Sequence, residues 1–387
     1  NQIADPFFIS LALFFLARAL DGKKRLDWAL SGSITGMALY VYAGARLTPI
    51  IITAVLVYRF LLEPRRFWHK HKWGLAVGMV SFFIVAAPML QYAVRFPGEF
   101  NARLNQVGIL QSGWLEREIE ILGEPVWSIL FDQFRRAALA FNYYPDRTVW
   151  YGLRNPFLDP FFGAIFLLGL IYGTLQLFNR RVGPRIAPMV AWWWGGMILG
   201  GMFTESPPSS QRLIALAVPV SFFIAYAMWE LVQLAGQSFK NITINAAIAI
   251  GVLLFAFISL NTYFVDYTPQ QLYGGRNAEM ATQIAPRLNE LKDENQFYFV
   301  GAPWMYWGFA TLPYLVPEAE AEDILDPLSE PIPENLVRRD KGSVFIVIPP
   351  RIDELELLAR AYPHGVREEV YSSIDGGHMV TLFKVAP

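Results

Sequence analysis

Long apolar stretches separated by short charged links fill residues 5 to 265, and no other feature constrains the fold of this chain as much. A helix needs about 20 apolar residues, with a rise of about 1.5 Å each, to cross the hydrocarbon core of a bilayer. The stretches therefore predict a helical protein that crosses a membrane about eight times. Their bounds are 5 to 20, 28 to 45, 48 to 62, 73 to 93, 157 to 178, 186 to 204, 212 to 235 and 242 to 265.

Composition supports the same class of protein. The chain is 54% hydrophobic and 17% charged, which is too apolar for one ordinary soluble core of this length. Its net charge of −1 gives no reason to expect a nucleic-acid partner. Because the chain has no cysteine, disulfides, zinc-thiolate sites and a cysteine nucleophile are excluded. Membrane lipids are therefore the predicted surroundings.

The links between the stretches alternate between rich and poor in Lys and Arg. The basic links follow the first, third and fifth stretches, and the link after the seventh adds Lys240. The two short links on the other side hold one cation each, Arg46 and Arg212. Cytoplasmic links carry the excess of positive charge in membrane proteins, so the basic links are predicted to lie in the cytoplasm. Their cations are Lys23, Lys24, Arg25, Arg65, Arg66, Lys70, Lys72, Arg180, Arg181 and Arg185.

This orientation places two large segments outside the cytoplasm. They are a loop over residues 94 to 156 and the tail after Tyr263. In the loop, residues 114 to 122 and 126 to 141 have the spacing of amphipathic helices and are predicted to lie on the membrane surface. The predicted location is a bacterial-type plasma (inner) membrane, with the loop and tail facing the cell envelope.

The tail is predicted to be a separate α/β domain. Segments with helical spacing alternate with short β-branched and aromatic segments, which favours a small α/β sandwich. An acidic, proline-rich segment over 318 to 340 is typical of a surface loop. The predicted domains are a multi-span domain, 1 to 265, and an extracytoplasmic α/β domain, 266 to 387. The tail's predicted helices are 278 to 291 and 353 to 361, and its predicted strands are 297 to 300, 344 to 348, 369 to 373 and 379 to 385.

Three motifs, in order along the chain, resemble a known family. Residues 40 to 49, Tyr-Val-Tyr-Ala-Gly-Ala-Arg-Leu-Thr-Pro, are similar to the Tyr-x-Tyr-x-x-x-Arg-x-x-Pro helix end of family 39 glycosyltransferases with the GT-C fold. These include dolichyl-phosphate-mannose mannosyltransferase-like and aminoarabinose-transferase-like proteins. Phe-Pro-Gly-Glu-Phe-Asn-Ala-Arg at 96 to 103, in a loop that ends at Asp146, and Pro-Pro-Ser-Ser-Gln-Arg at 207 to 212 are similar as well. The resemblance covers residues 1 to 265 and extends loosely to the tail.

The resemblance implies transfer of a sugar from a polyprenyl-phosphate donor to an acceptor on the extracytoplasmic face, where the acceptor is a lipid, a glycan or a protein. That family keeps its catalytic acidic residue in an outer loop after its first helix, and no such segment precedes the first stretch here. We therefore expect this chain to be the C-terminal portion of a longer enzyme. The alternative is a noncatalytic membrane subunit that keeps the GT-C scaffold and binds a partner through its outer domain.

Arg46, Arg103 and Arg212 are the predicted contacts of the donor phosphate. They lie at predicted outward helix ends, and a guanidinium can hold two phosphate oxygens at once. The alternative is that these arginines extend to lipid headgroups. Asp146 is the candidate carboxylate within the chain, with a turn residue after Pro145 as the alternative.

Four further side chains are predicted to line the cavity, and no resident cofactor is predicted. The four histidines lie in the cytoplasmic link and the tail, so a histidine-based metal site at the outer surface is not expected. A bound metal would have to be Mg²⁺ or Mn²⁺ held by carboxylates. Trp192, Trp193 and Trp194 predict an aromatic belt at the membrane interface. The predicted lining residues are Tyr40, Tyr42, Glu205 and Arg147.

Overall fold

The chain divides into two compact units in a computed structural model. Unit 1 covers residues 1 to 258 and unit 2 covers residues 259 to 387, whereas the sequence predicts a boundary between 265 and 266. Lys23 and Lys240 of the basic links lie outside the residues that the structure describes. The described residues are 2 to 22, 24 to 146, 148, 152 to 153, 155 to 235, 241 to 332, 336 to 337 and 340 to 387.

Unit 1 is helical, as its apolar stretches predict. Short 3-10 turns follow the second helix at Ala38–Tyr40 and Ala43–Leu47, and a π-helical turn covers Met197–Met202. The helices that lie in unit 1 or begin there are α1 (Ala4–Asp21), α2 (Arg25–Met37), α3 (Thr48–Leu62), α4 (Pro64–Arg95), α5 (Pro97–Phe100), α6 (Ala102–Val107), α7 (Trp114–Leu122), α8 (Val126–Ala138), α9 (Pro160–Leu175), α10 (Gly183–Gly196), α11 (Ser210–Leu213), α12 (Ala217–Ala235) and α13 (Asn241–Asn261).

Five helical segments of the described chain are long and apolar enough to cross a membrane, not the predicted eight. The first, second and sixth predicted stretches do not form such segments, for different reasons. Helix α1 has 18 residues but carries Asp5, Arg18 and Asp21. Helix α2 has 13 residues, and α10 has 14 before it widens into the π-helical turn. The five segments are Ala43–Leu62, Pro64–Arg95, Pro160–Phe178, Ser210–Leu234 and Asn245–Tyr267.

Helices α2 and α4 approach closely through small residues. Each has glycines four positions apart, Gly32 and Gly36 in α2 and Gly74 and Gly78 in α4. A Cβ added to Gly32 would lie 2.0 Å from the Gly78 carbonyl oxygen, so the two backbones are in contact. Such spacing of small residues is a common way for membrane helices to pack when lipid removes the hydrophobic driving force. We call this contact the glycine seam.

The core of unit 1 contains the tryptophans that the sequence assigns to an interfacial belt, and that prediction is wrong for two of them. Trp192 and Trp193 are fully buried. The Trp193 ring packs against Phe141 and Phe166, with ring centres 5.2 and 4.9 Å apart. The segment of the loop 94 to 156 that contains Phe141 is thus part of the helical core.

Helices α7 and α8 form where the amphipathic spacing predicts them, although α8 ends at Ala138. The loop is also joined to the segment before α11. Gly108 and Thr204 form an isolated antiparallel bridge, and the buried Gln133 side chain donates to the Thr204 carbonyl oxygen over 3.1 Å. These bonds fix the loop against the segment that carries Glu205.

Unit 2 contains a mixed five-stranded sheet in the order β2, β1, β3, β5, β4. Strand β1 is parallel to β2 and β3, and β5 is antiparallel to β3 and β4. One face of the sheet packs against α14 and the other against α16, so the predicted α/β sandwich is confirmed. The elements are α14 (Arg276–Leu291), β1 (Asn295–Val300), α15 (Thr311–Leu315), β2 (Ala321–Asp323), β3 (Gly342–Val347), α16 (Glu354–Ala361), β4 (Val366–Tyr371) and β5 (His378–Val385).

The edge strand β2 corrects the prediction that 318 to 340 is entirely loop. Phe297, Tyr298 and Phe299 of β1 pair with this strand. Three residues are too few for a period-2 pattern, so the sequence carries no clear strand signal there.

Gly32→Ala should destabilise unit 1 because the added methyl group overlaps the α4 backbone. We expect a loss of about 1 to 3 kcal/mol, seen as a lower thermal unfolding midpoint of the purified protein in detergent. Gly98→Ala is the matched control, since nothing lies within 4 Å of its added Cβ. Equal midpoints for the two variants would show that α2 and α4 are not in backbone contact.

Candidate functional site

One end of unit 1 holds most of the predicted site residues, and we call it the site end. Arg46 lies in the 3-10 turn Ala43–Leu47 that follows α2. Its Nη1 donates to the Phe100 carbonyl oxygen over 2.7 Å, and its guanidinium carbon lies 3.9 Å from the centre of the Phe100 ring. Its Nε is buried without a hydrogen-bond partner. Arg46 is therefore held by a carbonyl and an aromatic ring, and no described carboxylate neutralises it.

Arg212 is the second cation at this end, and it lies in the single turn of α11. Its Nη1 donates to the backbone carbonyl oxygen of Glu205, and its Nη2 lies 3.8 Å from Glu205 Oε1. The side chain is only 19% exposed. The backbone bond fixes the guanidinium while the carboxylate remains at the limit of a salt bridge.

The surroundings of Arg212 connect it with other predicted residues. Arg103 is one of these, and its Nη1 donates to the Gln106 side chain over 3.4 Å. Arg103 also follows Phe100, the partner of Arg46, by three residues. The structure therefore brings the three predicted phosphate contacts to one end. The groups that interact electrostatically with Arg212 are Glu205, Arg103, Tyr42 and Asp146.

Asp146 is buried and takes a structural position. One carboxylate oxygen accepts from the Thr148 amide and the other from the Ser210 amide, each over 2.8 Å. The hydrogen bond from the Thr148 amide closes a turn, as the alternative interpretation of Asp146 as a turn residue after Pro145 predicts. The second ties the loop to the first residue of α11, two positions before Arg212. With both oxygens engaged by amides, Asp146 is better suited to placing Arg212 than to accepting a proton.

The remaining predicted lining residues differ in position. The Tyr40 hydroxyl donates to the Val85 carbonyl oxygen over 2.8 Å, which joins the end of α2 to α4. Tyr42 is half-buried and lies near Arg212. Arg147 lies outside the described residues.

Asp5 is a site-end carboxylate that the motif comparison misses. It is 2% exposed, its Oδ1 has no partner, and the Ala45 amide hydrogen-bonds the carboxylate. A Cβ at Gly44 would lie 2.2 Å from Asp5 Oδ2, so the glycine makes room for this contact. The sequence signal for Asp5 is its position at the start of an apolar stretch, because a carboxylate there is energetically costly in a membrane protein unless it is paired.

A polar cavity of about 600 Å³ is lined in part by the two residues that follow Glu205. It lies between α7, α8 and the residues Ser206 and Pro207. Burial raises the pKa of Asp132 in its wall, but hydrogen bonds from Arg136 and Arg135 outweigh that effect and leave the pKa below its usual value. Asp132 therefore stays ionised and paired, and it is a poor proton acceptor.

The described residues contain no group of three or more Asp, Glu or His side chains that could hold a metal ion. The carboxylates at the site end are separately engaged, Asp5 by Ala45 and Asp146 by Thr148 and Ser210. Carboxylates of the described part of the chain therefore supply no ready set of ligands for Mg²⁺ or Mn²⁺.

Asp146→Ala should destabilise the site end because it leaves the Thr148 and Ser210 amides without their acceptor. We expect a cost of about 1 to 3 kcal/mol, measured as a fall in the thermal midpoint in detergent. Asp159→Ala is a comparison, since Asp159 likewise accepts from two backbone amides, those of Phe161 and Phe162 at the start of α9. An unchanged midpoint for Asp146→Ala would argue against the capping role.

No protein-family model matches the chain, and neither the curated proteins nor the solved structures give a match. Function is therefore inferred from the residues themselves. The informative ones are the arginines of the site end and the cavity beside Glu205.

Proposed function

We propose that the chain is a membrane glycosyltransferase, or part of one, that moves a sugar from a polyprenyl-phosphate donor to an acceptor on the extracytoplasmic face. One observation carries the proposal. Arg46, Arg103 and Arg212 gather at one end of a bundle with membrane-spanning helices, and their only salt bridge within the described chain is the 3.8 Å contact of Arg212. Cations with so little internal compensation favour an anionic ligand at the membrane surface.

The donor phosphate fits this arrangement. Arg46 and Arg212 are already oriented by backbone carbonyl oxygens, so little side-chain freedom is lost when they bind phosphate. A lipid phosphate lies at the membrane interface, level with the ends of spanning helices. The resemblance of residues 40 to 49, 96 to 103 and 207 to 212 to family 39 glycosyltransferases supports the same ligand, since each segment supplies one of the three arginines.

The transfer itself needs a charge stabiliser and a proton acceptor. The acceptor hydroxyl oxygen forms a bond to the anomeric carbon while the bond from that carbon to the phosphate oxygen breaks. Polyprenyl phosphate leaves with the electron pair, and the arginines stabilise its growing negative charge. The hydroxyl proton passes to a carboxylate. Glu205 is our candidate because it lies 3.8 Å from Arg212 and directly precedes Ser206, which lines the polar cavity that we assign to the sugar or the acceptor.

The orientation is part of the proposal. The opposite end of unit 1 contains Arg59, Lys70 and Arg180. We call it the link end. The positive-inside rule favours a cytoplasmic link end. The site end and unit 2 then face the cell envelope, as lipid-linked sugar chemistry on that side requires.

A noncatalytic subunit is the second candidate, and the surface of unit 2 favours it. Trp304, Tyr306 and Tyr314 are 59%, 43% and 81% exposed. Exposed aromatic side chains are enriched at protein interfaces. Such a subunit would keep the scaffold and bind a partner through unit 2.

Cysteine labelling can test the orientation, because the chain has no native cysteine. Arg65→Cys and Gly98→Cys bracket α4, and both positions are exposed. We expect a membrane-impermeant maleimide to label Gly98→Cys and Ser329→Cys from outside intact cells, and Arg65→Cys only after permeabilisation. The reverse pattern would overturn the orientation.

Removing the arginines should reduce transfer. We expect Arg46→Ala and Arg212→Ala each to lower transfer from a polyprenyl-phosphate-linked radiolabelled hexose by 10-fold or more, or about 1.4 kcal/mol of transition-state stabilisation. Label incorporation into membranes that contain the full protein is the measurement. Arg95→Ala is the matched control, since Arg95 is an exposed arginine at the end of α4.

The outcomes separate the two candidates. Unchanged transfer in both variants would reduce Arg46 and Arg212 to headgroup anchors. A wild-type protein that binds polyprenyl phosphate but transfers no sugar would favour the noncatalytic subunit. Binding is measured separately, with polyprenyl phosphate added to the purified protein in detergent.

A further inference from the structure

The link end of unit 1 is held together by polar contacts between helix ends. Lys70 Nζ in α4 donates to the Leu20 carbonyl oxygen of α1 over 3.2 Å, and Arg59 of α3 lies 3.7 Å from Asp21. The Tyr58 hydroxyl donates to the Leu177 carbonyl oxygen over 2.6 Å. These contacts bring the ends of α1 and α3, the start of α4 and the segment before α10 to one place.

Two adjoining cavities, of about 300 and 480 Å³, lie among these helix ends. They share several lining residues, including Asp21, Arg59 and Arg180. We call them together the basic cavity. Its cations are Arg59, Arg66, Lys70, Arg180, Arg181 and Arg185.

The charge of the basic cavity is poorly compensated. Its six cations face only two acids, Asp21 and Glu63, so the lining carries a net formal charge of +4. The Asp21 side chain is 85% exposed, and Glu63 pairs with Arg66, whose side chain is also exposed. Arg180, Arg181 and Arg185 form no salt bridge within the described chain. An anion is the ligand that this lining favours.

The lining of the larger cavity indicates which kind of anion it can bind. Beyond the cations, its lining continues along α1 through Leu16 and Leu13, and it includes Val55 of α3 and Pro188 of α10. From Leu20 to Leu13 is about 10 Å along the helix axis, at a rise of about 1.5 Å per residue. A free phosphate would use only the charged rim. A molecule with a phosphate and a hydrocarbon chain would use the rim and the apolar wall.

We propose that the basic cavity binds an anionic phospholipid, with its phosphate between Arg59 and Arg180 and an acyl chain along α1 and α3. Basic cavities between membrane helices on the cytoplasmic side favour such headgroups. The site lies at the opposite end of the bundle from Arg46 and Arg212, so it does not depend on the proposed sugar transfer. The lipid would join α1, α3, α4 and the start of α10.

The test compares lipids of equal chain length on the purified, delipidated protein in detergent. We expect dioleoyl phosphatidylglycerol to bind at least 10-fold more tightly than dioleoyl phosphatidylcholine by native mass spectrometry, and to raise the thermal midpoint. Arg180→Gln combined with Arg185→Gln should remove most of that preference. Both positions are exposed, so the variant is expected to fold.

Arg25→Gln combined with Lys72→Gln is the matched control, because it removes two exposed cations of the basic links that do not line the cavity. It should keep the preference for phosphatidylglycerol. Equal binding of both lipids by the wild type, or equal losses in the two double variants, would overturn the proposal. Stabilisation by inorganic phosphate equal to that by phosphatidylglycerol would also overturn it, since the apolar wall would then have no role.

Discussion

The contact on which both ends of unit 1 depend is the glycine seam between α2 and α4. The Gly32 Cα faces the Gly78 carbonyl oxygen with no room for a side chain, so the two helices have one close register. That register determines what meets at their ends. At the site end, the turn after α2 carries Arg46 to the Phe100 carbonyl oxygen just beyond α4. At the link end, the start of α4 brings Lys70 to the last turn of α1.

The two ends use arginine and lysine in different chemical settings. At the site end the guanidinium groups of Arg46 and Arg212 are oriented by backbone carbonyl oxygens, so their positions are fixed while most of their charge remains available. At the link end the cations are more numerous and more exposed, and an apolar wall continues from them into the bundle. The first setting suits the proposed donor phosphate, which must be held in one geometry and released. The second favours a phosphate that stays bound with its hydrocarbon chain.

Much of the fold could be predicted from sequence, because hydrophobic periodicity reports local structure. The helices around residues 114 to 122 and 276 to 291 and the longer strands of unit 2 follow their patterns. Two kinds of feature could not be predicted. Apolar composition does not show which aromatic side chains are buried among other helices, which is why Trp192 and Trp193 of α10 were misassigned. Tertiary contacts follow no periodic pattern, so neither the Ala45 contact of Asp5 nor the Ser210 contact of Asp146 could be predicted. The Thr148 contact of Asp146 is local, and the turn after Pro145 does indicate it.

The partners of Asp146 change how the site end should be understood. A carboxylate that accepts hydrogen bonds from two backbone amides is held in one position, and it joins the segments to which those amides belong. Ser210 begins α11, the turn that carries Arg212, and Thr148 lies near the end of the loop 94 to 156. Asp146 therefore couples the loop to the arginine. The Gly108 bridge to Thr204 and the Gln133 bond to the same residue join the loop to the segment of Glu205. The loop thus holds both members of the Glu205 and Arg212 pair, and any movement of the loop on binding a ligand would change the 3.8 Å separation between them.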